Sequence, residues 1–212
     1  MKRVRAALAE KEVLLREVHH RVKNNLQAII ALLSMQAEQI EDARTTQSLQ
    51  ELQERAYTMA LVYEHLCQAE SLAQIPMQPY LQDLSAHALQ SFGGSRAIKL
   101  SVEATPVSLD VETAMPCGLI VNELLTNALK YAFPGDSQAA AEVRVEFRAE
   151  EATYTLVVSD NGVGLPPGLD WRKPMTMGLR LVSFWATHQL GGKLEVNDQQ
   201  GTAFQVTFVG KE

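Results

Sequence analysis

The sequence lacks the features that mark several classes of protein. It has only two cysteines in 212 residues, Cys67 and Cys117, and neither belongs to a CxxC motif or to a Cys/His pattern with metal-ligand spacing. We therefore expect two reduced, packed thiols and no disulfide framework. No run approaches the ~18–20 apolar residues of a membrane span, and the basic start is not followed by a signal-peptide core. These absences predict a cytoplasmic chain without a membrane span.

An excess of basic residues is also missing. The chain has 19 Lys and Arg against 25 Asp and Glu, a formal net charge of −6, and its only basic cluster is the short run Lys-Arg-Val-Arg at residues 2–5. Because no basic stripe is available to neutralise phosphates, we exclude a general nucleic-acid binder. With 212 residues, 46% of them hydrophobic, the chain can bury one large core or two small ones, and two fit the pattern better.

The first part of the chain predicts a helical hairpin. A helix is indicated over residues 4–40, which contain neither proline nor glycine, and a turn over residues 42–46 separates it from a second helix. Apolar residues recur three, four or seven apart on both helices. They are Leu15, Val18, Val22, Leu26, Ile29, Leu33 and Ile40 on the first, and Leu49, Leu52, Ala56, Met59, Tyr63 and Leu66 on the second. Two such seams favour a homodimeric four-helix bundle; the alternative is packing against the rest of the chain.

The remainder predicts a second domain of the α+β class. The helical pattern breaks at residues 69–78, and we place the boundary so that residues 1–75 and 76–212 form the two domains. Helices are indicated at residues 80–91, 111–132 and 178–190, and strands at 98–103, 142–149, 154–159, 193–196 and 203–209. Strands and helices without a regular βαβ repeat indicate an α/β two-layer sandwich.

One segment of the first helix has a composition that packing does not require. The run Glu-Val-His-His-Arg-Val-Lys-Asn-Asn-Leu at residues 17–26 brings two histidines and two amides into the helix. On a helical wheel His20 points away from the apolar stripe together with Glu17, whereas His19 lies at the margin of the stripe. A solvated imidazole is a usable nucleophile near neutral pH. The alternative is a polar helix face that happens to contain histidine.

Residues 20–26, His-Arg-Val-Lys-Asn-Asn-Leu, resemble the phosphoacceptor box of sensor histidine kinases of the HisKA_2 or HWE-like subfamily. The resemblance implies that His20 accepts a phosphoryl group, with His19 as the second choice. Most histidine kinases have an acidic residue directly after the phosphoacceptor, and this chain has Arg21 instead. Glu17, one turn earlier on the same face, is a candidate to activate the imidazole.

The segment Asn-Glu-Leu-Leu-Thr-Asn-Ala-Leu-Lys-Tyr at residues 122–131 puts Glu123, Asn127 and Lys130 along one stripe of a predicted helix. The stripe could be a solvated face, but it resembles the Asn box of the ATPase superfamily shared by gyrase, heat-shock chaperones, histidine kinases and mismatch-repair proteins. The resemblance implies that Asn127, with Glu123 near it, holds Mg²⁺, and that Lys130 and Tyr131 contact ATP. It also implies that Glu123 polarises the attacking group.

Three further segments resemble elements of the same superfamily, in the expected order. Asp-Asn-Gly-Val-Gly at residues 160–164 is similar to the first glycine box, which implies that Asp160 binds the adenine amino group and that Gly162 and Gly164 let the backbone pass close to the ligand. Residues 177–182 resemble the second glycine box, with Gly178 and Leu179 at the phosphates. Residues 201–204 resemble the final strand, with Thr202 at the base. The irregular residues 166–176 between the boxes are typical of a mobile lid.

Together these elements predict an ATP-dependent protein-histidine kinase of a two-component system. The expected cofactors are ATP and Mg²⁺, and the expected partners are a second copy of the chain and the receiver domain of a response regulator. Since no segment is left over for a sensor domain, we expect the chain to be the C-terminal portion of a longer protein or to receive its signal from a separate one. The alternatives are an anti-sigma-type serine kinase and a non-catalytic phosphotransfer or scaffold dimer.

Overall fold

The computed structural model describes residues 2–68, 74–94, 97–134, 140–166, 168–172 and 176–210. The chain divides into two compact units, Met1–Pro76 and Met77–Glu212. Two long helices make up most of the first unit, and a mixed sheet covered by helices makes up the second. This arrangement confirms the predicted class, a helical region followed by an α+β domain. Within the described residues, no helix is both long and apolar enough to cross a membrane.

The first unit is an antiparallel helical hairpin formed by α1 (Lys2–Glu38) and α2 (Ala43–Gln68), followed by the short strand β1 (Ile75–Pro76). Asp42 lies immediately before α2, and its carboxylate accepts a hydrogen bond from the backbone N–H of Thr45 at 2.8 Å. This cap satisfies a donor that the first turn of the helix leaves unpaired. An ion pair of 3.3 Å between Lys23 on α1 and Glu64 on α2 joins the two helices.

The second unit contains a five-stranded sheet in the order β2-β4-β5-β7-β6. Its strands are β2 (Ile98–Ala104), β4 (Ala141–Glu150), β5 (Thr153–Asp160), β6 (Lys193–Asn197) and β7 (Thr202–Val209), and a two-residue strand, β3 (Ser108–Leu109), follows β2. β2 pairs with β4 in parallel and the other pairs are antiparallel. Alternate residues of β4, namely Val143, Val145 and Phe147, are fully buried, so one face of the sheet belongs to the core.

Helices α3 (Met77–Phe92) and α4 (Val111–Asn127) contact the sheet, and α5 (Met177–Phe184) packs against α4. α3 begins earlier than the predicted residue 80, because Pro79 lies in its first turn, where a missing N–H leaves no hydrogen bond unmade. Both α4 and α5 continue into π-helical turns, Ala128–Ala132 and Trp185–Gln189, where the periodicity predicted regular helix. Cys67 and Cys117 are free thiols, and complete burial raises the pKa of Cys117.

Candidate functional site

His20 lies on the exposed surface of α1 in the first unit. Its neighbours Glu17 and Arg21 form an ion pair in which both Nε and Nη2 of the guanidinium donate to Oε1 of the carboxylate, at 3.1 and 2.5 Å. The pair is open to solvent, with side-chain exposures of 75% for Arg21 and 55% for Glu17. The predicted activating carboxylate therefore has Arg21 as its partner, and the side chain of His20 is exposed to water.

His19 has a different environment from that of its neighbour. It is half-buried, and its ring lies 5.9 Å from the ring of Tyr63 on α2, measured between centroids. Burial, and secondly the nearby His20, lower the pKa of His19. Its Nδ1 is buried and has no hydrogen-bond partner among the described residues. His19 thus packs in the hairpin as an uncharged ring, whereas His20 is available to a second molecule.

The second unit contains a cavity of about 270 Å³ between the end of α4, the ends of strands β5 and β7, and the start of α5. Six of the residues predicted from the sequence line it: Asn127, Tyr131, Asp160, Gly164, Leu179 and Thr202. Apolar side chains such as Leu124, Val158 and Phe204 form most of the remaining wall. A flat aromatic base could be buried between such walls, with a small number of polar groups fixing its orientation.

Asp160 is the acidic group of this cavity. Its Oδ1 accepts hydrogen bonds from the backbone N–H groups of Gly162, at 2.9 Å, and Thr202, at 3.3 Å. Burial raises the pKa of Asp160, and the two backbone hydrogen bonds act in the opposite direction. Because both protein donors bind Oδ1, the second oxygen remains available to a donor within the cavity, such as an exocyclic amino group.

The loop after Asp160 is held in place by two of its residues, Gly162 and Asn161, and no sequence motif indicated a role for Asn161. Asn161 accepts a hydrogen bond from the N–H of Glu142 at 2.7 Å and donates one to the carbonyl of Ala140 at 2.8 Å, which ties the loop to the start of β4. Gly162 lies so close to α4 that a Cβ there would come within 2.2 Å of the carbonyl oxygen of Ala132. Only glycine allows this approach.

The residues of the Asn box lie in different surroundings. Asn127 and Tyr131 line the cavity, but the ammonium of Lys130 lies 4.6 Å from the centre of the Phe92 ring at the end of α3. The π-helical turn begins at Ala128 and changes the angular spacing between successive side chains. The stripe drawn on a regular helix therefore does not continue from Asn127 to Lys130, and Lys130 is not among the residues that line the cavity.

Glu123 is buried on α4, and its carboxylate lies against Gly178, the second residue of α5. Neither residue belongs to the cavity wall, although both lie next to residues that do, Leu124 and Leu179. Within the described part of the chain, no group of three His, Cys, Asp or Glu side chains could hold a metal ion. A divalent ion would therefore need oxygen ligands from a bound phosphate chain besides those of Asn127.

The predicted lid is described only in part, because residues 167 and 173–175 lie outside the described residues. Pro166, Leu169 and Thr176 line the cavity. The guanidinium of Arg172 lies 4.4 Å from the ring centre of Trp171. This segment therefore contributes part of the cavity wall, which is apolar at Pro166 and Leu169.

Two family models match the chain. Residues 17–92 match the family HisKA_2, described as histidine kinase, and residues 112–211 match the family of histidine kinase-, DNA gyrase B- and HSP90-like ATPases. The first match includes both histidines and the hairpin from residue 17 onward, and the second includes every residue predicted to bind the nucleotide.

Two curated proteins that are similar to the chain are both named as histidine kinases. The sensor histidine kinase PdtaS of Mycobacterium tuberculosis is 33% identical over 95% of this chain and 40% of its own length. Blue-light-activated histidine kinase 2 of Erythrobacter litoralis is 33% identical over 86% of this chain and 52% of its own length. The chain thus spans between about two fifths and one half of these curated relatives.

Solved structures of histidine kinases match the chain along nearly its whole length, and one of them is a separate domain. It is the histidine kinase domain of the EL346 blue-light-activated histidine kinase of Erythrobacter litoralis, with 30% identity and a TM-score of 0.68. The match covers 94% of this chain and 95% of that one. The similarity therefore includes both the hairpin and the sheet domain.

Proposed function

Because the chain belongs to the histidine kinase family, we propose that it autophosphorylates His20 with ATP and then transfers the phosphoryl group to an aspartate on the receiver domain of a response regulator. The observation that carries the proposal is the exposed imidazole of His20 beside the half-buried His19. A phosphoacceptor must be reached by the ATP site and then by the receiver domain, and an exposed helix face meets both needs.

The cavity of the second unit supports ATP as the phosphoryl donor. Asp160 would accept a hydrogen bond from the adenine amino group through its second oxygen, which favours adenine over guanine because guanine has a carbonyl at that ring position. Thr202, Tyr131 and Leu179 would contact the base and sugar. Gly164, which lines the cavity, and Gly178, which precedes the lining residue Leu179, would allow the phosphates to approach, while Gly162 holds the loop against Ala132.

Asn127 is the residue that we propose as a Mg²⁺ ligand, with Glu123 near the metal. When bound, Mg²⁺ would neutralise charge on the phosphate chain. Lys130, at Phe92, would have to change its side-chain rotamer to reach a phosphate. The chain's own contribution would otherwise be positioning, since phosphoryl transfer requires little covalent help from the protein.

The hairpin supports a homodimer as the working form. Ile29, Leu32, Met35 and Leu52 expose between 47% and 61% of their surface on the two helices, which is apolar area that a second copy would cover. Signal input would come from a sensor domain in the same polypeptide or from a separate sensor protein. The names of the relatives, sensor histidine kinase and blue-light-activated histidine kinase, support such an arrangement.

The test is to incubate the chain with γ-labelled ATP and Mg²⁺ and then with a panel of receiver domains. We expect label on the chain that is labile in acid and stable in base, as a phosphoramidate is, and that moves to at least one receiver domain. Acid-stable label would point to a serine kinase. Nucleotide binding without any label would point to a scaffold dimer, and either result would overturn the proposal.

A further inference from the structure

The residue that follows His20 is a cation, Arg21, and it is paired with the nearest carboxylate. Glu17 lies three residues before His20, one turn earlier on the exposed surface of α1, and Arg21 is the next residue along the chain. The planar guanidinium binds the carboxylate through two of its N–H groups. The same fork fits two oxygens of a phosphoryl group equally well.

The ion pair between Glu17 and Arg21 is weak enough for Arg21 to take another partner. Exposed ion pairs four residues apart on a helix contribute little to stability, because both groups are well hydrated and the interaction is screened by salt. A phosphoryl group carries about two negative charges, against one for a carboxylate, so it is the stronger ligand for the guanidinium. Lys23, the other cation of the box, is already bound to Glu64 of α2. Arg21 is therefore the cation of the box best placed to move to the phosphoryl group.

Building on the proposed function, we infer that Arg21 is a catalytic residue that exchanges Glu17 for the phosphoryl group being transferred. In that step a lone pair on one ring nitrogen of His20 forms the bond to the γ-phosphorus of ATP. The bond from that phosphorus to the bridging oxygen breaks, and its electron pair leaves with ADP. The proton on the other ring nitrogen passes to the carboxylate of Glu17, which Arg21 has released. Arg21 compensates charge on the phosphoryl oxygens.

This assignment accounts for the departure from the usual box. Here the base lies one turn earlier and a cation takes the adjacent position. The pair with Arg21 keeps the carboxylate of Glu17 from the imidazole until a phosphoryl group binds Arg21. Activation of the imidazole is therefore coupled to the arrival of ATP.

The experiment measures labelling by γ-labelled ATP in the full chain, giving kcat and KM for each variant. Arg21→Met should lower kcat roughly 10- to 100-fold and leave KM for ATP within about twofold of the parent's value. Arg21→Lys should lower kcat by less, because lysine keeps the positive charge. The decisive variant combines Glu17→Gln with Arg21→Met: the second change should still lower kcat in a chain without the carboxylate. Arg44→Met is the matched control, at the far end of the hairpin about 27 Å from His20 by helical rise, and should label like the parent.

Three results would overturn the assignment while the parent is labelled. Equal kcat for the parent and Arg21→Met would remove Arg21 from the reaction, and no further loss in the Glu17→Gln background would make Arg21 only a positioning residue for Glu17. Arg16 lies one turn before His20, and an equal loss of kcat in Arg16→Met would show that any nearby positive charge has the same effect as Arg21. A parent that binds nucleotide but takes no label would refute the proposed function itself. Unfolding temperatures of all variants exclude a loss of fold.

Discussion

Glu123 and Gly178 are in contact across two helices, so that a Cβ at Gly178 would come within 2.6 Å of Oε2 of the carboxylate. Glu123 belongs to the Asn box on α4, and Gly178 to the second glycine box at the start of α5. Two segments of the nucleotide site that are far apart in sequence are therefore fitted to each other. The absence of a side chain at Gly178 leaves room for the end of the Glu123 side chain.

The first prediction tests this contact. Gly178→Ala should lower the free energy of unfolding by about 1–3 kcal/mol, because the added methyl group displaces a buried carboxylate. Adding Glu123→Ala should recover most of that loss, and Glu123→Ala alone provides the baseline for the cycle. Chemical denaturation of the four proteins measures the coupling. Strictly additive effects would mean that the two residues do not restrain each other.

The second prediction concerns Asn127, the amide that lines the cavity at the end of α4. Asn127→Ala should abolish the part of nucleotide affinity that depends on Mg²⁺, a loss of roughly tenfold or more for one interaction with a charged group. Calorimetric titration with ADP, with and without Mg²⁺, separates this part from binding of the base. An unchanged effect of Mg²⁺ in a folded variant would contradict the assignment. Gln199→Ala, on an exposed loop, is a suitable control.

The sequence predicted those features that depend on the residue types themselves. Apolar periodicity located the helices and strands, and the spacing of Asn127, Asp160 and Thr202 in known motifs brought together residues that do line one cavity. It could not predict the π-helical turn at Ala128, since apolar spacing does not distinguish i→i+4 from i→i+5 hydrogen bonding over five residues. The position of Lys130 over Phe92 was missed for that reason.

Other features depend on contacts between segments distant in sequence. Asn161 reads as part of an ordinary turn, and its role follows only from the position of β4 beside the loop, where it binds Glu142 and Ala140. The pairing of Glu17 with Arg21 was within reach of the sequence, because the two residues are four apart on one helix. No motif draws attention to it, since the resemblance of residues 20–26 assigns no role to Arg21.

The third prediction follows from the raised pKa of Asp160, which results from burial. A carboxyl whose pKa is higher in the folded state contributes stability below its unfolded pKa, and this contribution is lost as pH rises through the folded value. Asp160→Asn should therefore gain stability relative to the parent as pH rises above the ordinary aspartate value of about 4. Denaturation curves from pH 3 to 7 measure the difference, and a parallel pH dependence of the two proteins would contradict it.

The same carboxyl should make nucleotide binding depend on pH. Only the ionised form offers an acceptor on both oxygens, so ADP affinity of the parent should fall as pH decreases through the raised pKa of Asp160. Asp160→Asn should bind ADP more weakly than the parent at neutral pH, and its affinity should not show this fall with decreasing pH. Because the nucleotide's own protonation affects both proteins equally, the ratio of their affinities isolates the contribution of Asp160. A constant ratio would exclude a role for its charge.

The fourth prediction concerns the surface of the hairpin. Ile29 and Leu32 are 47% and 61% exposed on α1, and Ile29→Glu with Leu32→Glu should convert a dimer to a monomer at micromolar concentration. Gln27→Glu, an added charge at another exposed position of the same helix, should leave the dimer intact. Light scattering gives the mass in each case. A monomeric parent, or a doubly substituted chain that stays dimeric, would remove this face from the interface.

The fifth prediction separates the two histidines by their environments. His20 is exposed, so His20→Gln should abolish acid-labile label and leave the unfolding temperature close to that of the parent. His19 is half-buried against Tyr63, so His19→Gln should lower the unfolding temperature and reduce labelling only in part. Tyr63→Leu, which alters the same contact from α2, should resemble His19→Gln in both measurements. If instead label is lost in His19→Gln and retained in His20→Gln, the phosphoacceptor is the buried member of the pair, and the hairpin must open locally before phosphorylation.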